Sequence, residues 1–285
     1  MKLELDNLTI CAVDCLTPQL AARAILKSSE NISFGRKILF TDSEIYGEFE
    51  TQKIPKIKSK AAYSEFLIKH LNSFVETDFV LIVQWDGYVI YPHCWTDEFL
   101  KYDYIGAKWG WYKDGFNMGN GGFSLRSKKL LNAIDDPQFI FHPEINEDEL
   151  ICRQNRNFLE TVRDISFAPL NIADQFSYER SPPNKFTLGY HGLFNLWRHE
   201  QDNAVIEISL QLPPQVFLSR EYLELMGQYY GMQKFDIFLH LFSLQTNFYC
   251  REQLIEAMKA VYKNDSLLQE ILAFGYSSLS LLKSN

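Results

Sequence analysis

The chain has 285 residues, a formal net charge of −8 and a pI near 5.3. This acidic balance argues against a nucleic-acid partner, because phosphate backbones are bound through clustered Lys and Arg. Apolar residues make up 46% and charged residues 22%, as in ordinary globular proteins, which excludes a disordered or fibrous chain. The length suits one large α/β domain, or an ordinary domain with an appended helical piece.

The location of the protein is predicted from what its sequence lacks. The opening MKLELDNLTI has no apolar signal region, and no run approaches the roughly 20 apolar residues that span a bilayer, so the cytoplasm is expected. Peripheral membrane contact and the oligomeric state stay open. The five cysteines show no zinc or disulfide spacing and are expected to be reduced.

The first part of the chain alternates predicted strands with predicted helices. A buried strand is predicted over residues 8–15, and a helix capped at Thr17 and Pro18 follows it. The next predicted elements are strands over residues 37–42 and 51–58, the latter weak and broken by Pro55, a helix over 60–75, and an apolar strand over 79–84. Such alternation indicates a mostly parallel sheet flanked by helices, with ligands bound beyond the carboxyl ends of the strands.

The character of the sequence changes after about residue 200. Two or three amphipathic helices are predicted there, following a connector that contains Pro213 and Pro214. We therefore expect a C-terminal helical extension over residues 201–285.

Polar residues follow the most hydrophobic predicted strand. Gln84 and Asp86 lie at its end, and Gly87 permits a turn and the close approach of a ligand. An ordinary Asp-Gly turn is the alternative interpretation. Further along, Gly119, Gly121 and Gly122 indicate backbone pressed against another group or a tight loop, and no P-loop lysine follows them.

Two later features could carry chemistry. The acidic run over residues 144–149 contains Asp148 and precedes an apolar helical segment. One of its carboxylates could accept a proton from a reacting hydroxyl, or the run could merely complement a helix dipole. His191 stands between Gly189 and Gly192, where the flexible backbone could bring its imidazole to a metal; a structural histidine is the alternative.

Aromatic residues reach 15%, and four of the five tryptophans, Trp85, Trp95, Trp109 and Trp111, lie in one stretch. Their rings could stack on sugars or bases, or could fill a core.

The order of these motifs resembles that of GT-A glycosyltransferases, which carry an Asp-x-Asp metal motif, a glycine loop, an x-Glu-Asp motif and a late histidine. In particular the chain resembles a family of uncharacterised glycosyltransferase-like domains. The matching motifs are Gln-x-Asp at residues 84–86, Tyr-Asp-Tyr-Ile-Gly-Ala at 102–107 and Gly-Asn-Gly-Gly-Phe-Ser-Leu-Arg at 119–126. The similarity runs from about residue 55 to residue 197.

This resemblance implies a GT-A, Rossmann-like catalytic domain over residues 1–200 that binds a nucleotide-sugar. It implies that Asp86 and His191 hold Mn²⁺ or Mg²⁺ and that Asp148 is the catalytic base. The residues it implies for nucleotide-sugar binding are Val13, Asp14, Lys60, Gln84, Trp85, Asp86, Gly121 and Gly122. The expected donor is a UDP-sugar, transferred with inversion to a hydroxyl of a glycan, lipid or protein, although retention stays open.

One departure from the GT-A motif is that Gln84 replaces its first Asp. Fewer negative charges then hold a hard cation, so the donor diphosphate is expected to supply much of the coordination. The same departure supports a second hypothesis, a GT-A-like module that binds glycans or nucleotides without transfer. A metal-dependent hydrolase that uses water as the acceptor is a third.

Overall fold

The computed structural model describes residues 2–181 and 185–282. The chain divides into two compact units, residues 1–191 and residues 192–285. Each unit has its own buried core, and we describe them separately. Within the described residues no helix is both long enough and apolar enough to cross a membrane.

A six-stranded sheet forms the centre of the first unit. Its strands are β1 (Leu3–Val13), β2 (Ile32–Thr41), β3 (Glu50–Lys53), β4 (Phe79–Val83), β5 (Tyr104–Ile105) and β8 (Phe123–Ser127). They lie in the order β3-β2-β1-β4-β8-β5. The pairs from β3 to β4 are parallel, whereas β8 runs antiparallel to both β4 and β5. The predicted α/β class with a mostly parallel sheet is therefore confirmed.

Short strands outside this sheet make two small ladders. An antiparallel pair is formed by β6 (Ala107–Lys108) and β7 (Met118–Gly119). A parallel pair is formed by β9 (Ser177–Tyr178) and β10 (Gly189–Tyr190). Each strand has two residues, too few for a periodic pattern to reveal it in the sequence.

The helices of the first unit are mostly short. They are α1 (Pro18–Ser28), α2 (Lys60–Lys69), α3 (Lys128–Ile134), α4 (Glu147–Glu149), α5 (Arg156–Val162) and α6 (Leu170–Phe176). A π-helical turn, Leu150–Gln154, joins α4 to α5, and 3₁₀ turns cover Leu71–Phe74, Pro92–Cys94 and Asp97–Lys101. Pro18 begins α1 because its missing N–H and fixed φ suit the first helical turn.

The first core is built on the central strands. Ile10, Leu39 and Ile82, one from each of three adjacent parallel strands, are fully buried. Because both faces of such a sheet are covered, its strands are continuous apolar runs, which is why the sequence revealed them. Strands β1 and β2 begin five residues earlier than predicted, since their first halves contain polar residues.

The second unit is helical, as predicted. It contains α7 (Leu196–His199), α8 (Asp202–Ser209), α9 (Arg220–Gly231), α10 (Phe235–Phe248), α11 (Arg251–Val261) and α12 (Asp265–Leu282), with 3₁₀ turns at Leu193–Asn195 and Pro214–Leu218. Helix α10 packs against α8, α9 and α12, and α9 packs against α11. Their fully buried side chains include Tyr222, Met226, Phe238, Leu241 and Leu272.

Candidate active site

A tight hairpin follows β4 at the carboxyl edge of the sheet. Gln84 N donates to Gly87 O at 3.0 Å, and Gly87 N donates to Gln84 O at 2.9 Å. The two residues that this turn encloses are Trp85 and Asp86, and Asp86 is only 9% exposed. The Asp-Gly turn interpretation and the functional one are thus compatible, because the turn itself holds the carboxylate at the sheet edge.

The glycine loop, residues 119–122, lies at the same edge of the sheet. Because β8 runs antiparallel to β4, with Phe123 opposite Val83, the residues just before Phe123 adjoin the end of β4. Asn120 adopts a left-handed φ of 72°, and its Oδ1 accepts a hydrogen bond from Phe123 N at 3.2 Å. Tyr104 Oη donates to the Asn120 carbonyl at 3.2 Å, which fixes the loop from below.

Glycine is required in this loop because other side chains pack directly on its backbone. A Cβ added to Gly122 would lie 2.1 Å from His191 Nε2, and one added to Gly121 would lie 1.9 Å from Glu147 Oε1. Real Cβ atoms do not approach so closely, so both glycines make room for the side chains of His191 and Glu147. The interpretation from the sequence that this backbone is pressed against another group is confirmed at both glycines.

His191 reaches the hairpin through a chain of backbone contacts. Strand β10 pairs with β9, and Gly189 also forms an antiparallel bridge to Val89, three residues after Asp86. His191 N then donates to Tyr178 O at 3.0 Å. As a result His191 Nε2 lies 3.1 Å from Gln84 Oε1 and 3.6 Å from Asp86 Oδ1.

The other ring nitrogen of His191 faces a second carboxylate. His191 Nδ1 lies 3.5 Å from Glu179 Oε1 and 3.0 Å from Asn120 Nδ2. Burial by itself lowers the pKa of His191, but the Asp86 and Glu179 carboxylates outweigh it and raise that pKa to about 9. Burial opposes ionisation of Glu179 too, yet its hydrogen bond and charge interaction with His191 lower the pKa of that carboxyl.

Asp148 is anchored directly on the glycine loop. Its Oδ2 accepts from Gly121 N at 3.0 Å, and its Oδ1 accepts from Glu149 N at 2.8 Å. Burial raises the pKa of the Asp148 carboxyl, although both backbone hydrogen bonds favour its charged form. Asp148 therefore belongs to the cluster formed by Gln84, Asp86, His191 and the glycine loop, rather than to a solvated acidic surface.

The neighbouring carboxylate has a different environment. Glu147 Oε1 accepts from Arg126 Nη2 at 3.0 Å, and both side chains are buried. The Arg126 guanidinium lies over the ring of Tyr104, 5.3 Å from its centroid. This buried ion pair holds the start of α4 against the end of β8, and so fixes where Asp148 meets the loop.

The remaining predicted residues are spread along the same edge. Val13 ends β1, and Asp14 follows it, but the Asp14 carboxylate accepts from Leu16 N at 2.6 Å and from Thr17 N at 2.7 Å. Asp14 therefore organises the start of α1. Lys60 is exposed at the first residue of α2, and no hydrogen bond or ion pair within 2–181 and 185–282 joins it to the cluster.

Sequence reasoning missed three members of the site. Tyr63 Oη accepts from Gln84 Nε2 at 2.8 Å, Glu179 faces His191, and Arg126 was seen only as part of a motif. Tyr63 lies within the helix predicted over residues 60–75, where nothing marks it as a site residue, and Glu179 follows a strand of only two residues. The register of β9 and β10 pairs Tyr178 with Tyr190, so the residues that follow, Glu179 and His191, are neighbours.

The residues present suit a divalent cation only in partnership with a ligand. Asp86, His191 and Gln84 offer a carboxylate, an imidazole and an amide oxygen, a donor set compatible with Mn²⁺ or Mg²⁺. Because the raised pKa of His191 favours its protonated form, a cation would bind this ring only by displacing a proton. No group of three or more His, Cys, Asp or Glu side chains is placed to hold a metal in the part of the chain that the structure describes. A cation here would need further oxygen ligands from outside these three side chains.

The solved structures that are similar to this chain include two glycosyltransferases. A glycosyltransferase involved in the glycosylation of the major capsid of PBCV-1 is 14% identical, with a TM-score of 0.36, covering 65% of this chain and 91% of that one. The apo-form glycosyltransferase GlyE of Streptococcus pneumoniae TIGR4 is 13% identical, with a TM-score of 0.38, covering 67% of this chain and 54% of that one.

Comparison of the sequence with family models and with curated proteins gives one family match. No curated protein matches the chain. The sequence model of one family matches residues 47–192, which span the hairpin, the glycine loop, Asp148 and His191. The chain belongs to that family, described as protein of unknown function (DUF5672).

Proposed function

We propose that the protein is a metal-assisted glycosyltransferase of the GT-A type, which moves a sugar from a nucleotide-sugar to an acceptor hydroxyl. A UDP-sugar is the donor we favour, and a glycan, lipid or protein is the acceptor class. The reaction is a single displacement that inverts the anomeric carbon. The catalytic work belongs to residues 1–200, and residues 201–285 are an accessory region.

One observation carries the proposal: a buried carboxylate and an imidazole face each other at 3.6 Å, while a second carboxylate sits on the adjoining glycine loop. Asp86 and His191 have the chemistry to hold a cation, and Asp148 has the chemistry to accept a proton. Such a division of roles suits displacement of a charged leaving group by a hydroxyl. The carboxyl edge of a parallel sheet is also where α/β proteins bind nucleotides.

In the proposed mechanism Asp148 accepts the proton of the acceptor hydroxyl as its oxygen forms a bond to the anomeric carbon. The bond from that carbon to the diphosphate breaks, and the nucleoside diphosphate leaves with the electron pair. Asp86 and His191 are the residues that would hold a cation, which would supply neutralisation of the diphosphate charge. The burial that raises the pKa of Asp148 suits it to act as a base closer to neutral pH.

The test is thermal unfolding with nucleoside diphosphates, each with Mn²⁺, with Mg²⁺ and with EDTA. A ligand that binds only the native state raises stability by RT ln(1 + [L]/Kd), about 2.7 kcal/mol at 100 times Kd. We expect UDP to raise the melting temperature with Mn²⁺ and to do so much less with EDTA. If no nucleotide raises it, the donor-site assignment is wrong.

A non-catalytic binding module is the second candidate, favoured by Gln84 in the metal motif and by the contact of its Oε1 with His191 Nε2 at 3.1 Å. Such a module would bind a nucleotide or glycan without releasing sugar from the donor. Release of nucleoside diphosphate from a panel of nucleotide-sugars separates the two functions. Release that no acceptor increases would instead favour the hydrolase hypothesis.

A further inference from the structure

An aromatic loop projects from the small β6–β7 ladder. It covers residues 109–117, and Trp109 N donates to Asn117 O at 2.8 Å across its base. The loop carries Trp109, Trp111 and Tyr112, whose ring centroids lie 5.7 to 6.2 Å from one another. We call this segment the aromatic loop.

The two tryptophans of the aromatic loop are buried to different extents. Trp109 is 6% exposed, whereas Trp111 is 53% exposed although its ring stacks on Trp109 with 30° between the planes. A large apolar ring left in water loses the stabilisation that burial would bring. The supporting ring holds Trp111 in place instead of covering it.

Arg153 fixes the shape of the aromatic loop. Its Nη1 and Nη2 donate to Asp114 Oδ1 and Oδ2 at 3.1 and 2.7 Å, and Nη1 also donates to Phe116 O at 2.6 Å. The same guanidinium lies over Tyr112, 3.5 Å from the ring centroid. A bidentate pair combined with a stacked cation makes the loop preorganised, which lowers the entropy lost when a ligand binds.

The aromatic loop is continuous with the candidate active site on two sides. A Cβ added to Gly119 would lie 2.2 Å from Cη2 of Trp109, so the indole rests on the start of the glycine loop. Gly119 and Gly121 are two residues apart, within about 7 Å, and Gly121 N binds Asp148. Arg153 itself lies in the π-helical turn just after α4, a feature often found at functional sites.

From this geometry we propose that Trp111 is the platform on which an acceptor sugar stacks, with one face of its pyranose ring against the indole. The inference rests on the proposed function, because it assigns the acceptor side of the same site. A pyranose presents an apolar C–H face and a hydroxyl rim, which matches a half-exposed indole that covers the face and leaves the rim in water. An anionic occupant is disfavoured because Arg153 is already committed to Asp114.

The experiment is saturation-transfer NMR on the full chain with UDP and Mg²⁺ present. The probes are the methyl glycosides of glucose, galactose, mannose and N-acetylglucosamine in both anomeric forms, at millimolar concentration. We expect at least one glycoside to receive saturation, strongest at protons on one face of its ring. Trp111→Ala should weaken its binding on the order of tenfold. Phe248→Ala, which removes another exposed aromatic ring at the end of α10, should not.

The inference is overturned if no glycoside receives saturation, or if Trp111→Ala binds the glycoside as well as the wild type does. It is also overturned if the only effect of Trp111→Ala is to convert a dimer into a monomer in size-exclusion chromatography. Calorimetry of UDP binding with Mn²⁺ is the separate control, in which Trp111→Ala should bind UDP as tightly as the wild type does. If the wild type does not bind UDP, the proposed function is contradicted. If it binds UDP but no glycoside, only the acceptor platform is contradicted.

Discussion

The two units of the chain bury different kinds of side chain. In residues 1–191 the interior contains Arg126, Glu147 and Asp86, each at most 9% exposed. Among the described residues of the second unit, the buried polar side chains are uncharged: Asn195, Ser209 and Gln245. Aromatic and aliphatic side chains fill the rest of that interior.

This difference supports the proposal that the chemistry is located in the first unit. Burying a charge costs several kcal/mol unless it is paired, so a fold under selection for stability alone gains little from buried ion pairs. The first unit keeps them beside a backbone of glycines and a left-handed asparagine. The interior of the second unit holds apolar and uncharged polar side chains among its described residues. The following predictions test this division, from the largest expected effect to the smallest.

Removing the charge of Asp86 should have the largest effect. We expect Asp86→Asn to keep the fold and to lose nearly all metal-dependent binding of UDP, because the substitution removes the negative charge that Asp86 would place beside a hard cation, and the neutral amide of Gln84 cannot replace it. Calorimetry with UDP and Mn²⁺ measures it, and Asp236→Asn, an exposed charge in α10, is the matched control. Unchanged affinity in Asp86→Asn would remove this residue from the metal site.

Replacing Asp148 should affect turnover rather than donor binding. The amide of Asp148→Asn cannot accept the acceptor's proton, so kcat should fall by about 10² to 10⁴-fold with little change in the affinity for UDP. Glu149→Gln removes the adjacent carboxylate and should have a much smaller effect. If Asp148 only balances a helix dipole, its substitution costs at most about 1 kcal/mol of stability, and turnover stays near that of the wild type.

In the second unit we expect a large loss of stability without loss of function. Phe238 is fully buried and packs on Tyr230, Phe242 and Phe274. Phe238→Ala should lower the free energy of unfolding by about 3–5 kcal/mol through lost burial and a cavity. The dissociation constant for UDP with Mn²⁺, measured below the melting transition, should not change. A weaker affinity in the folded protein would contradict the assignment of this unit as accessory.

Alanine substitution of one glycine in each unit compares the effect of one added methyl group in the two units. Gly122→Ala would push the His191 ring aside, so it should cost about 1–3 kcal/mol and weaken metal-dependent UDP binding. Gly231, at the end of α9, would place an added Cβ in open space, with nothing within 4 Å beyond its chain neighbours and the backbone of its own helix. Gly231→Ala should be neutral or stabilise by about 0.5–1 kcal/mol. Equal effects in denaturant unfolding and calorimetry would contradict the special packing at Gly122.

The sequence predicted the sheet well because its central strands are apolar and flanked by helices. Strand β4 and the turn at Asp86 follow directly from that pattern. The antiparallel direction of β8 could not be predicted, because the sequence pattern of a five-residue strand is the same whether it pairs parallel or antiparallel to its neighbour. That direction is what brings residues 119–122 beside the end of β4.

The site was only partly predictable for a similar reason. Asp148 and Gly121 are 27 positions apart in the chain, and only the folded backbone shows that one binds the other. Glu179 had no signal at all, since its position depends on a ladder of two residues per strand. Asp86 and His191 were singled out by their place in the sequence. Resemblance to a family assigned their roles and chose Asp148 among its acidic neighbours, and the structure adds their distances and the residues around them.

The central claim is most directly tested by measuring nucleoside diphosphate release from a panel of nucleotide-sugars by wild-type protein and Asp86→Asn, each with Mn²⁺ and with EDTA. Mixed glycan acceptors should be present in one set of reactions. We predict that the wild type releases UDP from at least one UDP-sugar with Mn²⁺, faster with an acceptor, and that EDTA or Asp86→Asn abolishes the release. No release from any donor by a protein that still binds UDP, or release unaffected by EDTA, would contradict a metal-assisted glycosyltransferase.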